Sequence, residues 1–534
     1  MSFLGQFNFG YPVISQNLIS TIPDNAVLPL SIGSSLKGNI LGTTFADLKA
    51  QVASPASIET IGTTLYSVNP AAGTDSGTIE NVILGLDTGQ GADTAYSNFL
   101  GTQAGNGAFN TTRSNFLGYY AGKGSPNTSH SNFLGHYAGS FAPNANNSNF
   151  FGQAAGQNAY NSDSSNFFGF IAGINAHNSN ASNMFGYSAG VSATNSYSSN
   201  FIGYQCGSGA YSSPQSNFMG YQAGYNASNV SNSNFFGTMA GYTSNNCFNS
   251  NFFGQGAGYI CLGANNSNFI GNNAGFTASS ANNSNFIGFY AGSQASNAPR
   301  SNFIGRQAGS QATNAYNSNF FGEIAGYNAP GANNSNFFGT QTGFNATNAY
   351  RSNFIGYSAG QNASSANNSN FIGTQAGYDA TNATNSNFIG TNAGYTATGA
   401  LRSVFIGLEA GYTATSALES NFIGYGAGYN ANQANRSNFI GLNAGKNAIT
   451  AASSNFFGNE AGMNSTGNNV NAFGYRAHKD GTLSNITVFA NVTLPTFANR
   501  AAAVAAITVA LGAVAGNTYF YYNQTTFAIE GVRL

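Results

Sequence analysis

The segment SNFIGYSAGQNA occupies Ser352 to Ala363, and near-copies of it follow at a spacing of 17 residues, from Ser369 and from Ser386. With Ser97 as position 1 of a 17-residue unit, the unit starts 22 times, the last time at Ser454. Position 1 is Ser, and positions 5 and 9 are Gly, in all 22 units. Position 2 is Asn in 21 units, position 3 is Phe in 21, and position 8 is Ala in 20. Constant length is what stacked coils require, because one inserted residue would move every later side chain out of its column.

The composition excludes several classes of protein. Only 5% of the 534 residues are charged, against about 25% in typical globular proteins. The formal net charge is -1, so no basic field attracts nucleic acid or anionic membrane. The aromatic content of 14% argues against disorder, because such a chain has large apolar groups to bury. We therefore expect an ordered protein without a nucleic-acid partner and without membrane insertion.

The period predicts a β-solenoid with one coil per unit. Helical-hairpin repeats need about 33 residues or more, and collagen needs Gly at every third residue. Two fixed glycines per unit, with abundant Asn and Ser, also disfavour helix. Coils stacked at about 4.8 Å bury a continuous core, and 22 of them would extend for roughly 105 Å. The predicted fold class is therefore all-β, a β-solenoid (β-roll) of 22 regular coils with small α+β terminal regions.

The conserved columns of the stack receive physical roles. Positions 2 to 5 (NFIG) form the best predicted strand. We expect Gly at positions 5 and 9 to supply positive φ or close backbone approach. Asn at positions 2, 11 and 14 can form amide ladders from coil to coil. Ala at positions 8, 12 and 15 keeps the coil thin, and position 17, with Arg in five units, is expected to be an outward corner.

Positions 3 and 4 are both large and apolar, although successive side chains of a strand point to opposite faces. Position 4 is Leu, Ile, Phe or Met in every unit. One of the two columns must therefore face outward, and a stripe roughly 100 Å long is too large for a monomer to expose. This pattern predicts that copies of the same chain cover it, most simply as a parallel homotrimer. Which column faces the core stays open, and so does a wide core that holds both columns through a bulge.

The chain divides into three predicted regions. Two partial units, Asn81 to Gly89 and Asn471 to Ala477, flank the array and are interpreted as capping coils. The regions are an N-terminal particle-attachment region at 1–80, a shaft at 81–477 with regular coils over 97–470, and a C-terminal cap or tip module at 478–534.

The two terminal regions differ from the array in their patterns. The first carries a short helix candidate, Thr44 to Ala53. The last predicts an apolar-faced helix over Phe497 to Leu511, then strands NTYFYY and TTFAIEGV around a turn at Asn523 and Gln524. The first residues lack a basic start followed by an apolar core, so we expect no secretory signal.

Position 10 is the candidate recognition surface. An exposed aromatic column there could stack on sugar rings, or the rings could stack on one another and shield the edge of the coil. Position 10 is aromatic in ten units: Tyr225, Tyr242, Tyr259, Phe276, Tyr327, Phe344, Tyr378, Tyr395, Tyr412 and Tyr429. Six tyrosines of this column are the candidate surface-recognition residues: Tyr225, Tyr242, Tyr259, Tyr395, Tyr412 and Tyr429.

No catalytic, cofactor or metal motif is found. The four histidines (His130, His136, His177 and His478) have no paired metal spacing, and the 15 Asp and Glu residues are scattered. Cys206 replaces Ala at position 8 and is expected to be a small core residue. Cys247 and Cys261 lie at positions 15 and 12 and would not stack. We predict no enzyme and no cofactor.

The unit SNFIGxxAG resembles the SVAIGxxA coils in the head domain of trimeric autotransporter adhesins. The resemblance covers about Asn81 to Ala477 and implies a trimeric β-roll and an adhesive role. The sequence departs from that family in its period and Phe column, and neither the family's secretion signal nor its membrane anchor is expected here. Residues Leu494 to Leu534 are similar to short C-terminal modules of phage tail fibres and other virion proteins.

These resemblances predict a structural virion fibre, a phage tail fibre that serves host-cell attachment without catalysis. Its expected partners are copies of itself, other virion or tail and baseplate proteins at the N-terminal region, and a host surface receptor such as a glycan. The expected location is the virion, after assembly in the host cytoplasm. Three alternatives stay open: a bacterial surface adhesin at the cell surface, a passive structural or decoration filament, and an ice-binding solenoid.

Overall fold

The computed structural model describes residues 65–70, 80–89, 94–490, 496–497, 518–523 and 528–533. The chain forms two compact units that divide between Asn249 and Ser250. Each unit is an all-β parallel solenoid, and the two together contain about 24 turns of the 17-residue repeat. No helix is present in the described ranges. The predicted all-β solenoid is therefore confirmed.

Each regular turn contributes one short strand at positions 2 to 4, and the first unit has further strands at Leu65–Pro70, Thr94–Ala95 and Thr111–Thr112. The strands of the first unit are β1 (Leu65–Pro70), β2 (Glu80–Gly85), β3 (Thr94–Ala95), β4 (Asn98–Leu100), β5 (Thr111–Thr112), β6 (Asn115–Leu117), β7 (Asn132–Leu134), β8 (Asn149–Phe151), β9 (Asn166–Phe168), β10 (Asn183–Phe185), β11 (Asn200–Ile202), β12 (Asn217–Met219) and β13 (Asn234–Phe236).

The second unit repeats the pattern and ends in a hairpin. Its strands are β14 (Asn251–Phe253), β15 (Asn268–Ile270), β16 (Asn285–Ile287), β17 (Asn302–Ile304), β18 (Asn319–Phe321), β19 (Asn336–Phe338), β20 (Asn353–Ile355), β21 (Asn370–Ile372), β22 (Asn387–Ile389), β23 (Val404–Ile406), β24 (Asn421–Ile423), β25 (Asn438–Ile440), β26 (Asn455–Phe457), β27 (Val470–Phe473), β28 (Ile486–Phe489), β29 (Thr496–Phe497), β30 (Thr518–Asn523) and β31 (Ala528–Arg533).

Within each unit the strands pair in parallel and in register. Asn353 pairs with Asn370, 17 residues later. At both flanks the offset falls to 16, because Val82 pairs with Asn98 and Asn455 pairs with Asn471. The unit that starts at Ser454 is therefore one residue shorter than the others. Strand β1 pairs antiparallel with β2.

The core contains the position-3 rings and a wall of small residues. The side chains at position 3, from Phe99 to Phe456 and including Met184, are fully buried. Successive rings lie 4.5–5.2 Å apart between centroids, and most are stacked. Ala at positions 8, 12 and 15 is buried as well, for example Ala359, Ala363 and Ala366.

The position-4 side chains are partly or well exposed throughout the described array. Position 3 is therefore the core column and position 4 the outward column. The alternative of one wide core that holds both is wrong, because the strand keeps its alternation.

At four further positions of the unit the backbone has positive φ, the left-handed region, and the chain changes direction there. Residues at positions 7, 11 and 17 have positive φ in the units between Ser97 and Ser453, and so do those at position 14, for example Gln375, Asp379, Asn382 and Asn385 at 52–58°. Asn tolerates this region better than most residues, which accounts for the Asn-rich composition. The five position-17 arginines also take it and are exposed, as expected for an outward corner: Arg113, Arg300, Arg351, Arg402 and Arg436.

The invariant Ser at position 1 forms a buried polar column that the sequence analysis did not predict. The Ser301 Oγ accepts a hydrogen bond from the Ser318 backbone N–H at 3.2 Å in the next coil. The same Oγ donates to the Ala315 carbonyl at 2.5 Å. Each hydroxyl thus satisfies backbone groups where a coil closes, and an apolar residue there would leave them unpaired.

Part of the predicted C-terminal module lies within the described residues. Strands β30 and β31 pair antiparallel, which confirms the predicted hairpin, and β29 pairs in parallel with β30. Phe497 lies in β29 and Asn523 lies in β30, so the predicted helix does not begin at Phe497 and the predicted turn does not begin at Asn523. The remaining residues of that helix, the helix candidate at Thr44 to Ala53, and Gln524 lie outside the described residues.

The close approach of coils at position 5 yields a stability prediction. A Cβ on Gly356, which has a φ of 132°, would lie 2.5 Å from the Gly373 carbonyl oxygen of the next coil. We expect Gly356→Ala to destabilise the fold by more than about 3 kcal/mol, measured by denaturant unfolding. Gly263 has a φ of 63° and no atom within 4 Å of the added Cβ, so Gly263→Ala should cost only about 1–2 kcal/mol. Equal losses in the two variants would contradict the stacking constraint.

The core column yields a second prediction. Phe354 is fully buried and lies 4.6 Å from Phe337 and 4.5 Å from Phe371 between ring centroids. Phe354→Ala should lower the free energy of unfolding by about 3–5 kcal/mol, because it leaves a cavity. Phe354→Met should lower it by less than about 1.5 kcal/mol, since Met184 already occupies this column. Hydrogen exchange of the flanking coils would show whether the loss is local.

Candidate functional surfaces

The outward face of each strand carries the side chains at positions 2 and 4. Ten position-4 side chains are 36–41% exposed: Leu134, Phe185, Ile202, Met219, Phe253, Ile270, Phe338, Ile355, Ile372 and Ile406. The others are half-buried. Because they repeat at one position of every coil, they form an outward apolar column within each unit, which no described residue covers.

An amide ladder runs beside this column. The Asn353 Nδ2 donates to the Asn370 Oδ1 at 2.8 Å, and the same bond recurs along position 2 within each unit. In the second unit Val404 interrupts the ladder, which resumes at Asn421. Position 14 carries a shorter ladder from Asn110 to Asn195, with bonds of 2.9–3.1 Å. Position 11 carries short runs, such as Asn328 to Asn345 at 3.0 Å. The predicted ladders are therefore confirmed, but only the position-2 ladder is long.

A shallow groove lies between the ladder and the apolar column in the first unit. It has a volume of about 440 Å³ and is lined by Asn98, Leu100, Asn115, Leu117, Asn132, Leu134 and Phe151. One wall is amide and the other is apolar, so the groove suits a surface that carries both kinds of group.

The aromatic rings at position 10 stack on one another. Tyr378, Tyr395, Tyr412 and Tyr429 lie 4.9–5.0 Å apart between centroids, with planes within 7°. The rings are half-buried, and burial, followed by the neighbouring tyrosines, raises the pKa of Tyr395 and of Tyr429. Interior rings of such a stack have both faces covered. A sugar could therefore reach only ring edges and the end rings.

The other predicted position-10 tyrosines are arranged in the same way. Tyr225 stacks on Tyr242 at 5.1 Å, and Tyr259 stacks on Phe276 at 5.0 Å. These contacts match the alternative that the rings shield the coil edge. A role in recognition stays a prediction for Tyr225, Tyr242, Tyr259, Tyr395, Tyr412 and Tyr429.

Position 6 is a more exposed aromatic column, which the sequence analysis missed. Phe170, Tyr187, Tyr204 and Tyr221 are 40–46% exposed and stack at 5.0–5.2 Å. The signal was available, since the residue after the position-5 Gly is aromatic in four consecutive units. It was less visible because most other units hold a non-aromatic residue at position 6, such as Thr, Gln, Asn or Leu.

Aromatic side chains occupy positions 6 and 7 together in one cluster of the first unit. Tyr119 stacks on His136 at 5.1 Å, and Tyr120 stacks on Tyr137 at 5.0 Å. The Lys123 ammonium lies 4.1 Å from the Tyr120 ring centroid, a cation–π distance. The hydrogen bond with Tyr120, followed by burial, raises the pKa of Tyr119 to about 12.

The histidines and charged residues form no recognised catalytic centre in the described part of the chain. The Ser465 Oγ lies 3.1 Å from the His478 Nδ1, but Ser465 is fully buried and the His478 Nε2 has no hydrogen-bond partner. Such a pair lacks both the access and the orienting group that an activated nucleophile needs. Burial lowers the pKa of His177 and of His478. His130 and His136 are exposed, whereas His177 and His478 are half-buried.

The remaining chemistry-bearing residues are structural in their contacts. Cys206 is buried, and burial raises the pKa of its thiol, as expected for a small core residue. The Glu460 carboxylate binds Lys479 and Arg476 at 2.7 Å each, and these bonds lower its pKa. Among the described residues no cluster of His, Cys, Asp or Glu could hold a metal ion. Nor does that part contain a helix that could span a membrane.

No protein-family model and no curated protein matches this chain.

The aromatic cluster yields a pH prediction. Because the folded pKa of Tyr119 is raised from 10.0 to about 12, its contribution to stability is present below pH 10 and is lost as the pH rises towards 12. We expect ultraviolet titration to detect the ionisation of Tyr119 near pH 12, as the difference between the unchanged chain and the variant that lacks the Tyr120 hydroxyl. Tyr120→Phe removes the main cause and should move that ionisation towards pH 10. Tyr357→Phe, at an isolated ring, should leave the late ionisation unchanged, and the opposite pattern would contradict the assignment.

Proposed function

We propose that this protein is a structural virion fibre, a phage tail fibre whose solenoid is the shaft of a parallel homotrimer that serves attachment to a host cell without catalysis. One observation carries the proposal: the apolar column at position 4 faces outward in the described coils. A regular apolar stripe that continues over many coils is typical of an interaction surface rather than of a surface that a monomer leaves in water.

The partner best suited to this stripe is the same chain. The stripe repeats with the coil, so a surface that matches it over many coils needs the same repeat. The groove supports this choice, because its amide wall and its apolar wall lie side by side on the strand face. Another copy of the chain carries the same two kinds of side chain and can match both walls. Three parallel chains around one axis bury each position-4 column on the other two.

The uniformity of the array favours a mechanical role. Within each unit, a stack in which successive coils are bonded to one another resists bending. In this proposal residues 1–80 attach to other virion or tail proteins and residues 478–534 form the cap or tip. The host receptor is a surface molecule such as a glycan. The alternatives of a bacterial adhesin and of a passive filament need the same self-association. An ice-binding solenoid needs a regular face of Thr side chains, and position 13 does not carry Thr regularly.

The mass of the full chain in solution tests the oligomer. We expect light scattering to give a stable species of three 55.0 kDa chains. A variant that combines Ile355→Thr, Ile372→Thr, Ile389→Thr and Ile406→Thr keeps β-branched side chains but removes apolar area. It should dissociate at a protein concentration at least about tenfold higher than the unchanged chain. A soluble monomer for the unchanged chain would overturn the trimer.

The matched control changes another column. Thr381→Asn, Thr398→Asn and Thr415→Asn lie at position 13 of three of these four coils, and Asn already occupies this position at Asn432. This variant should form an oligomer of the same number of chains as the unchanged protein, measured by the same light scattering.

Host attachment needs a separate measurement. The fluorescently labelled full chain should bind saturably to intact bacteria of at least one strain in a broad panel. A stable trimer that binds none of them, and that antibodies do not detect on virus particles, would leave the passive filament as the function.

A further inference from the structure

We propose that Tyr187, Tyr204 and Tyr221 form an oxidative cross-linking site, at which a one-electron oxidant joins neighbouring rings through a carbon–carbon bond and covalently staples adjacent coils. This modification is independent of the proposed function. It rests on the position-6 stack of the first unit.

The three phenol rings are held close together and parallel. The centroids of Tyr187 and Tyr204 are 5.0 Å apart with planes at 6°, and those of Tyr204 and Tyr221 are 5.2 Å apart at 7°. The backbone beneath them is fixed by bonds between coils. The Gln205 N–H donates to the Tyr187 carbonyl and the Gln222 N–H to the Tyr204 carbonyl, both at 2.8 Å.

The rings are also accessible to an oxidant. Tyr187, Tyr204 and Tyr221 are 45%, 42% and 46% exposed. Exposed side chains move on the picosecond-to-nanosecond timescale, so the ring carbons can approach one another while the backbone stays in place. Holding two reactants side by side gives them a high effective concentration, which favours reaction within the chain over reaction between chains.

The chemistry balances with hydrogen peroxide and a haem peroxidase. Each phenol loses one electron and one proton and becomes a phenoxyl radical. The two radicals join at the carbons ortho to the oxygens, and the ortho hydrogens move to the oxygens to restore both phenols. Hydrogen peroxide accepts the two electrons and two protons and becomes two molecules of water.

The same chain contains two matched controls at position 6. Tyr357 is 52% exposed and lies between Thr340 and Thr374 in the column, and Tyr425 is 48% exposed and lies between Leu408 and Leu442. Both are at least as accessible as the stacked rings, but neither has a tyrosine above or below it. If exposure alone decided the outcome, these two residues would be modified first.

The test treats the full chain with the peroxidase and hydrogen peroxide and identifies linked peptides by tandem mass spectrometry. We expect the Tyr187–Tyr204 and Tyr204–Tyr221 links to exceed any link at Tyr357 or Tyr425 by about tenfold or more. Their yield per chain should not fall when the protein is diluted about tenfold, since the reaction occurs within one chain. Tyr204→Phe should abolish both links, and Tyr357→Phe should leave them unchanged.

Two results would overturn the proposal. One is a set of links no more frequent at the stack than at Tyr357 and Tyr425. The other is a yield at the stack that falls in proportion to protein concentration, which would show reaction between chains. Circular dichroism of the Tyr204→Phe chain checks that the fold is kept, as expected from Phe170 in the same stack.

Discussion

Hydrogen bonding between successive coils is the constraint on which the rest of the structure depends. A regular coil inside either unit bonds to both of its neighbours: the Gly356 N–H donates to the Phe338 carbonyl in the preceding coil, and the Asn353 N–H donates to the Ser369 carbonyl in the following coil. Such bonds hold only if every coil returns to the same place after the same number of residues. At the two flanks the offset falls to 16, and there the core column changes as well, to Ile83 and Ala472 in place of Phe.

A coil this small has room for little inside it. One Phe and a few small residues fill the interior, so the second large apolar side chain of each strand must lie outside. Each coil then depends on its neighbours for its core, and stability becomes a sum of contacts between adjacent coils. The outward column is a consequence of this thin core, and self-association along it would bury what the coil itself cannot.

The side-chain columns differ in what they leave available to a partner. The amides of the position-2 ladder largely satisfy one another, and the position-10 rings cover one another's faces. The position-4 column and the position-6 rings keep exposed apolar surface. The apolar surface available to a partner or a reagent is therefore at positions 4 and 6 and at the cluster around Tyr119, whereas a role in recognition stays a prediction for the position-10 tyrosines.

The sequence by itself determined the solenoid, its period, the amide ladders and the need for one outward apolar column, because all of these follow from repetition and strand alternation. It did not determine which column faces the core, since Phe at position 3 and Ile or Phe at position 4 are equally apolar. The position-9 Gly, whose added Cβ would meet the position-3 ring, shows in three dimensions that this ring points inward. The left-handed corners, the buried Ser column and the exposed position-6 stack also emerged only in the tertiary structure. The Ser column and the position-6 stack depend on contacts between residues 14 or 17 apart, which only the folded coils bring together.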